Sequence, residues 1–171
     1  MSEQLTLYKL MILYMLEKVD FSLTYTHISD FILGRGYTDY FNFQTAISEL
    51  VEASLIHQET IRSTTYYMIT PEGEETLGYF REKINLPIRE DIDAWMKANR
   101  MSMINDVSVT ADYYKHTLGG YEVQCRIQEK KTDLCDLKLN VTDEFMAQAI
   151  VKQWKAKSQE IYDYLIRELM Q

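Results

Sequence analysis

Proline and glycine are sparse in this 171-residue chain, at two and six residues. No polar tract is long, so the composition excludes a largely disordered protein. Cys125 and Cys135 are the only cysteines, and His27, His57 and His116 the only histidines. No spacing among them resembles a zinc site, and neither a metal nor another cofactor is expected. The longest apolar-rich stretch, Leu5 to Leu16, contains Thr6, Lys9 and tyrosines and is too short to span a bilayer. A basic start with a small-residue cleavage site is missing, so a cytoplasmic protein with no membrane partner is expected. The chain also lacks a nucleophile with a plausible histidine, a phosphate-binding glycine loop and a convergent carboxylate pair. Catalysis is therefore not expected.

Positive charge is scarce as well. The formal net charge is −8, with 6 basic against 12 acidic side chains in residues 1–85 and 12 against 14 in residues 86–171. Such a balance opposes unspecific binding to phosphate. The apolar fraction of 46 % and charged fraction of 26 % are ordinary for a folded globular chain.

Helical signals fill the first half. Leu5 to Leu16 has neither Gly nor Pro and is rich in Leu and Met. Leu7, Leu10, Met11 and Tyr14 make one apolar face, and Tyr8, Ile12, Met15 and Val19 another. Such a helix needs cover on several sides, either inside its own domain or against a second subunit. Thr24 or Thr26 can cap a second helix carrying Ile28, Phe31 and Ile32, which Gly34-Arg35-Gly36 ends. Asn42 can cap a third, in which Phe43, Ala46, Ile47, Leu50 and Val51 recur at helical spacing. An extended segment from Ile56 to Ile61, a tip at Arg62-Ser63-Thr64-Thr65 and a return through Tyr66 to Ile69 form a hairpin. Thr70-Pro71 then starts a fourth helix, followed by acidic residues that suit the helix dipole.

Three helices, a hairpin and a helix within residues 1–85 are in winged helix-turn-helix order. The wording Ala46-Ile47-x-x-Leu50-Val51-x-x-x-Leu55-Ile56, then Tyr66-Tyr67-x-Ile69-Thr70-x-x-Gly73-x-x-x-Leu77, resembles the recognition helix, wing and exit helix of bacterial winged-helix repressors. With Leu5-Thr6-Leu7-Tyr8-Lys9-Leu10 and Trp154-Lys155-x-Lys157-Ser158-x-Glu160-Ile161-Tyr162, the chain resembles a bacterial winged-helix family, domain of unknown function 4364. That family is distantly similar to regulators of the phenolic-acid-repressor type. The resemblance spans nearly the whole chain. It implies a fold and suggests regulation of transcription, but brings no ligand or operator.

Residues 86–171 read differently. Pro87 opens a charged helix, Ile88 to about Arg100, with Ile92, Trp95 and Met96 on one face. Three alternating runs follow: Val107 to Tyr113, Tyr121 to Ile127 and Cys135 to Val141, with Gly119-Gly120 turning the first hairpin. A final helix, Asp143 to Met170, is expected behind a Thr142 cap. The fold class is thus α+β, with a winged helix-turn-helix followed by a helix, a three-stranded antiparallel meander and a long helix. The second domain would dimerise or sense a signal.

The expected function is a DNA-binding transcriptional regulator acting as a homodimer. Asn42, Gln44, Thr45 and Ser48 should face outward from the third helix beside Glu49 and Glu52, with Arg35, Arg62, Ser63 and Thr64 on the backbone. Lys9 and Lys18 are further candidates for phosphate. Leu7, Met11, Tyr14, Tyr162, Ile166 and Met170 are the expected dimer contacts. Two alternatives stand beside this one. The first is a winged interaction module whose acidic surface (Glu49, Glu52, Glu59, Glu72) meets a protein rather than DNA. The second is small-molecule sensing by the C-terminal half. Tyr37, Tyr40, Phe41 and Phe43, near Tyr66 and Tyr67, can stack a flat ligand or a base, although such aromatics more often form the core under a wing. Cys125 and Cys135 share strand parity and can lie opposite one another. Reduced, buried cysteines are the commoner reading, and a thiol switch the rarer.

Overall fold

The first helix of this computed structural model, which describes residues 2–61, 63–129 and 132–171, is surrounded by its own domain. α1 (Glu3–Glu17) is capped by Ser2, and every residue from Leu10 to Leu16 is buried. Packing against other elements of that domain accounts for its two apolar faces.

β1 (Leu23–Thr24) leads into α2 (Tyr25–Ile32). Thr24 caps α2 through its hydroxyl, which accepts from the His27 amide at 3.1 Å. In return Nδ1 of buried His27 accepts from the Thr24 amide at 3.1 Å. This reciprocal pair satisfies two amides that a helix start otherwise leaves open. α3 (Tyr40–Glu52) is capped by Asp39, which accepts from the Asn42 amide at 2.8 Å. Asn42, expected as the cap, instead sits inside the first turn. The helix closes at Ser54, whose φ of 59° is left-handed, and the Leu55 amide returns to the Leu50 carbonyl at 3.0 Å.

β2 (Ile56–Ile61) and β3 (Thr64–Ile69) pair antiparallel from Ile56↔Ile69 to Ile61↔Thr64. Thr64 and Thr65 are therefore strand residues rather than part of the tip. β1 adds to the other side of β3 through Leu23↔Tyr67, giving a three-stranded sheet in the order β1-β3-β2. A two-residue strand has no alternation to reveal it in sequence. α4 (Pro71–Phe80) starts behind Thr70, whose hydroxyl donates to the Ser54 carbonyl at 2.7 Å and accepts from the Gly73 amide at 3.0 Å. Gly73 is required there, because a β-carbon would lie 2.1 Å from the Leu55 carbonyl oxygen. Together α3, α4 and β3 enclose α1.

α5 runs from Leu86 to Ser108, eight residues beyond the expected end at Arg100. Val107 and Ser108 continue the parity of the strand after them but are helical. Ile92, Met96 and Met103 are buried in the first core, and Trp95 lies 5.5 Å from the Phe31 ring. The chain accordingly divides into residues 1–103 and 104–171, not at 85/86 as the sequence suggests.

In the second unit β4 (Val109–Lys115), β5 (Tyr121–Glu129) and β6 (Thr132–Val141) form a second antiparallel sheet in the order β4-β5-β6. The whole is mixed α+β, with six α-helices and two three-stranded sheets among the described residues, where a two-stranded hairpin and one three-stranded meander were expected. At the first turn Gly120 has a φ of 75°, and a β-carbon there would lie 2.7 Å from the Val141 carbonyl oxygen. α6 (Glu144–Leu169) is capped by Asp143, which accepts from the Met146 amide at 2.8 Å, rather than by Thr142. It lies chiefly over β4 and β5. Val123, Cys125, Ala147 and Trp154 form the core, and the Trp154 indole donates to the Arg126 carbonyl at 3.2 Å. Buried indole N–H groups need such a partner.

The two cysteines are not opposite one another. Cys125 faces Leu137 and Cys135 faces Ile127, so they are diagonal neighbours with free thiols. Diagonal side chains on a sheet are farther apart than a disulfide spans. Burial pushes the Cys125 thiol up to about 11, with the Cys135 thiol adding to the rise, and burial raises Cys135 too. Both are poor nucleophiles near neutral pH.

Candidate nucleic-acid interface on α3

α3 turns Phe43, Ala46, Ile47 and Leu50 into the core. The opposite side of a 3.6-residue helix then carries Phe41, Thr45, Ser48 and Glu52, with Gln44 and Asn42 on its flanks. These residues are exposed or half-buried, and Phe41 is 82 % exposed. Tyr40, Phe41, Gln44, Thr45, Ser48, Glu49 and Glu52 line an open depression of about 440 Å³. The structure thus brings Gln44, Thr45 and Ser48 together in one depression, while Asn42 lies on the opposite flank of the helix, outside it.

Local hydrogen bonds fix several of these groups. The Gln44 amide nitrogen donates to the Tyr40 hydroxyl at 3.1 Å, and the Asn42 amide nitrogen to the Asp39 carboxylate at 3.2 Å. The Thr45 hydroxyl donates to the Phe41 carbonyl at 3.0 Å. Each anchored amide keeps its carbonyl oxygen and a second N–H.

The aromatic cluster divides in two. Phe43 and Tyr67 are core residues, and Phe43 lies 5.3 Å from the Tyr25 ring. The Tyr37 ring lies 5.4 Å from that of Phe31, tilted by 37°. Tyr40 and Phe41 are exposed, which corrects the expectation that the cluster lies under the hairpin. Phe41 stands two residues before buried Phe43, so helical spacing sends it outward. A helix start placed at Asn42 conceals that.

The basic residues are already engaged. Lys9 of α1 pairs with Glu49 of α3. Arg35 lies 3.6 Å from Asp91, which also accepts from the Tyr37 hydroxyl at 2.6 Å. Burial first, and this bond second, push the Tyr37 hydroxyl up to about 12. Lys18 lies 3.3 Å from Asp93, which accepts from Tyr14 at 2.9 Å. Asp91 and Asp93 come from α5, and a boundary at residue 85 leaves both out of the first unit. Arg35 remains half exposed, and a pair of that kind is worth only about 0–1 kcal/mol, so it is readily exchanged. Ser63 is exposed at the hairpin turn and Thr64 opens β3. Arg62 lies outside the described residues.

The expected dimer contacts separate as well. Met11 and Tyr14 are buried in the first core and Leu7 packs against it, so α1 spends this apolar surface within its own unit. On α6, Tyr162 is half-buried and Ile166 is 43 % exposed, and Met170, which caps the helix end, is 80 % exposed.

Among the described residues, no helix is long and apolar enough to cross a membrane, and no three His, Cys, Asp or Glu side chains are grouped to hold a metal ion. No curated protein and no solved structure matches the chain. A family model does match, over residues 8–169, and the chain belongs to the family described as Domain of unknown function (DUF4364).

Proposed function

We propose that the first unit is a winged helix-turn-helix and that the protein is a DNA-binding transcriptional regulator, acting as a homodimer and without catalysis. The observation that carries this reading is the outer face of α3. A helix buried along one stripe presents Phe41, Gln44, Thr45 and Ser48 along the other, and the fold uses none of them for its core. It follows α2 directly and precedes the β2–β3 hairpin, the order in which a recognition helix and a wing meet DNA. The Lys9–Glu49 pair offsets part of the acidity that opposes phosphate. Ile166, Leu169 and Met170 leave an apolar end on α6 for a second copy, and a twofold dimer would present two α3 helices to two half-sites.

Gel retardation at low salt, with DNA from upstream of the gene, tests this reading. A complex that Ser48→Glu abolishes supports it. A complex indifferent to Ser48→Glu, or none at all, counts against it.

One observation favours a second reading, an interaction module for a protein partner. Tyr40 and Phe41 are 61 % and 82 % exposed along a depression that also holds acidic Glu52, and Arg35 is held by Asp91. Exposed aromatics on an acidic face suit a basic protein surface. Affinity capture that returns a protein after nuclease treatment, and loses it in Phe41→Ala, would favour this module over DNA.

A further inference from the structure

The geometry points to adenine–thymine pairs as the bases that α3 reads. This rests on the DNA-binding reading above and adds the chemistry of the site recognised. Guanine is most often read by Arg or Lys donating to its two major-groove acceptors. α3 contains no Arg or Lys anywhere between Tyr40 and Glu52. Adenine instead offers one acceptor and one donor, and a side-chain amide matches that edge with one N–H and its carbonyl oxygen.

Gln44 and Asn42 keep that pair of groups available. Each has two N–H bonds, of which one is spent, in Gln44 on the Tyr40 hydroxyl and in Asn42 on the Asp39 carboxylate. The spent bond limits rotation of the amide, and the oxygen and second N–H remain for a ligand. An amide held in this way loses less conformational freedom on binding than a free one. Phe41, 82 % exposed near the start of the same helix, adds an apolar surface for the thymine methyl group. Helix starts of this kind are the part of a recognition helix that meets base edges.

Selection of the full-length protein against a randomised duplex library at low salt tests the inference. The expected result is an enriched motif whose most constrained pairs under α3 are A·T. Gln44→Ala should relax one of them by about tenfold or more. Gln44→Arg should move the preference at that same pair from adenine to guanine, a gain that a misfolded variant cannot imitate. Enrichment of a motif built on G·C at the positions that Gln44→Ala relaxes, or retention without base preference, would overturn the inference while leaving DNA binding intact. Failure of the unmutated protein to retain any duplex would overturn both.

Discussion

Lys9 on α1 neutralises Glu49 on α3 in a partly buried ion pair, with side-chain exposures of 15 % and 34 %. The acid count of the first unit therefore overstates the negative charge that a ligand at α3 meets, and Glu52 is the exposed acid left on its outer stripe. Glu52→Lys should strengthen DNA binding and make the slope of log affinity against log salt steeper by about one. Lys9→Met should act in the opposite sense, weakening binding by freeing the Glu49 charge. Fluorescence anisotropy with a labelled duplex over a salt series reads both. An unchanged slope in Glu52→Lys would place the phosphate backbone away from α3.

Tyr37 ties the segment after α2 to α5 through its 2.6 Å bond to Asp91. Tyr37→Phe keeps the ring on Phe31 and removes the bond. It should cost about 1–2 kcal/mol, since a hydrogen bond to a charged group is worth more than a neutral one. Urea unfolding of the full chain measures it, and a loss below about 0.5 kcal/mol would mean the bond contributes little.

Alkali should weaken the two units over different ranges. Tyr37 moves from an ordinary 10.0 to about 12, chiefly through burial and then through the Asp91 bond. Between those values the unfolded chain releases the proton and the folded chain keeps it. The contribution is thus full below pH 10.0 and lost as pH rises toward about 12. Cys125 moves from 9.0 to about 11, chiefly through burial, so its contribution in the second unit fades across that lower window. Stability against pH should flatten from 10.0 to about 12 in Tyr37→Phe and from 9.0 to about 11 in Cys125→Ala. Parallel curves for variant and parent would contradict the assignment.

Two glycines of α4 should respond with opposite signs. Gly73→Ala drives a methyl group into the Leu55 carbonyl, with 2.1 Å available, and should cost about 2 kcal/mol or more. Gly78 meets nothing within 4 Å in the same helix, so Gly78→Ala should stabilise by about 0.5–1 kcal/mol. Thermal melts of the two variants decide it, and a shift of the same sign in both would refute the packing described at Gly73.

Much of this architecture is legible in periodicity. The stripe Phe43, Ala46, Ile47, Leu50 identifies α3 and its buried side, and strict alternation identifies β5 and β6. Helix starts are less legible where polar residues compete. Asp39 and Asp143 win over Asn42 and Thr142, and only backbone geometry separates neighbouring candidates for a cap. The extent of α5 is hidden because Val107 and Ser108 share the parity of β4. Its membership of the first unit is hidden for another reason: Ile92, Met96 and Met103 pack on residues distant in sequence. The same long-range contact places Asp91 and Asp93 beside Arg35 and Lys18, which no local pattern foretells. Of the candidate site, the outward polar residues of α3 are readable, whereas Phe41 and the engaged state of the cations are not.

The most direct test of the central claim is residue-resolved NMR of the isotope-labelled full chain on adding a duplex from upstream of its gene. Shift changes are expected to concentrate at Phe41, Asn42, Gln44, Thr45 and Ser48, growing as salt is lowered. Binding that leaves these five resonances unmoved, or no change anywhere at low salt, would contradict that claim.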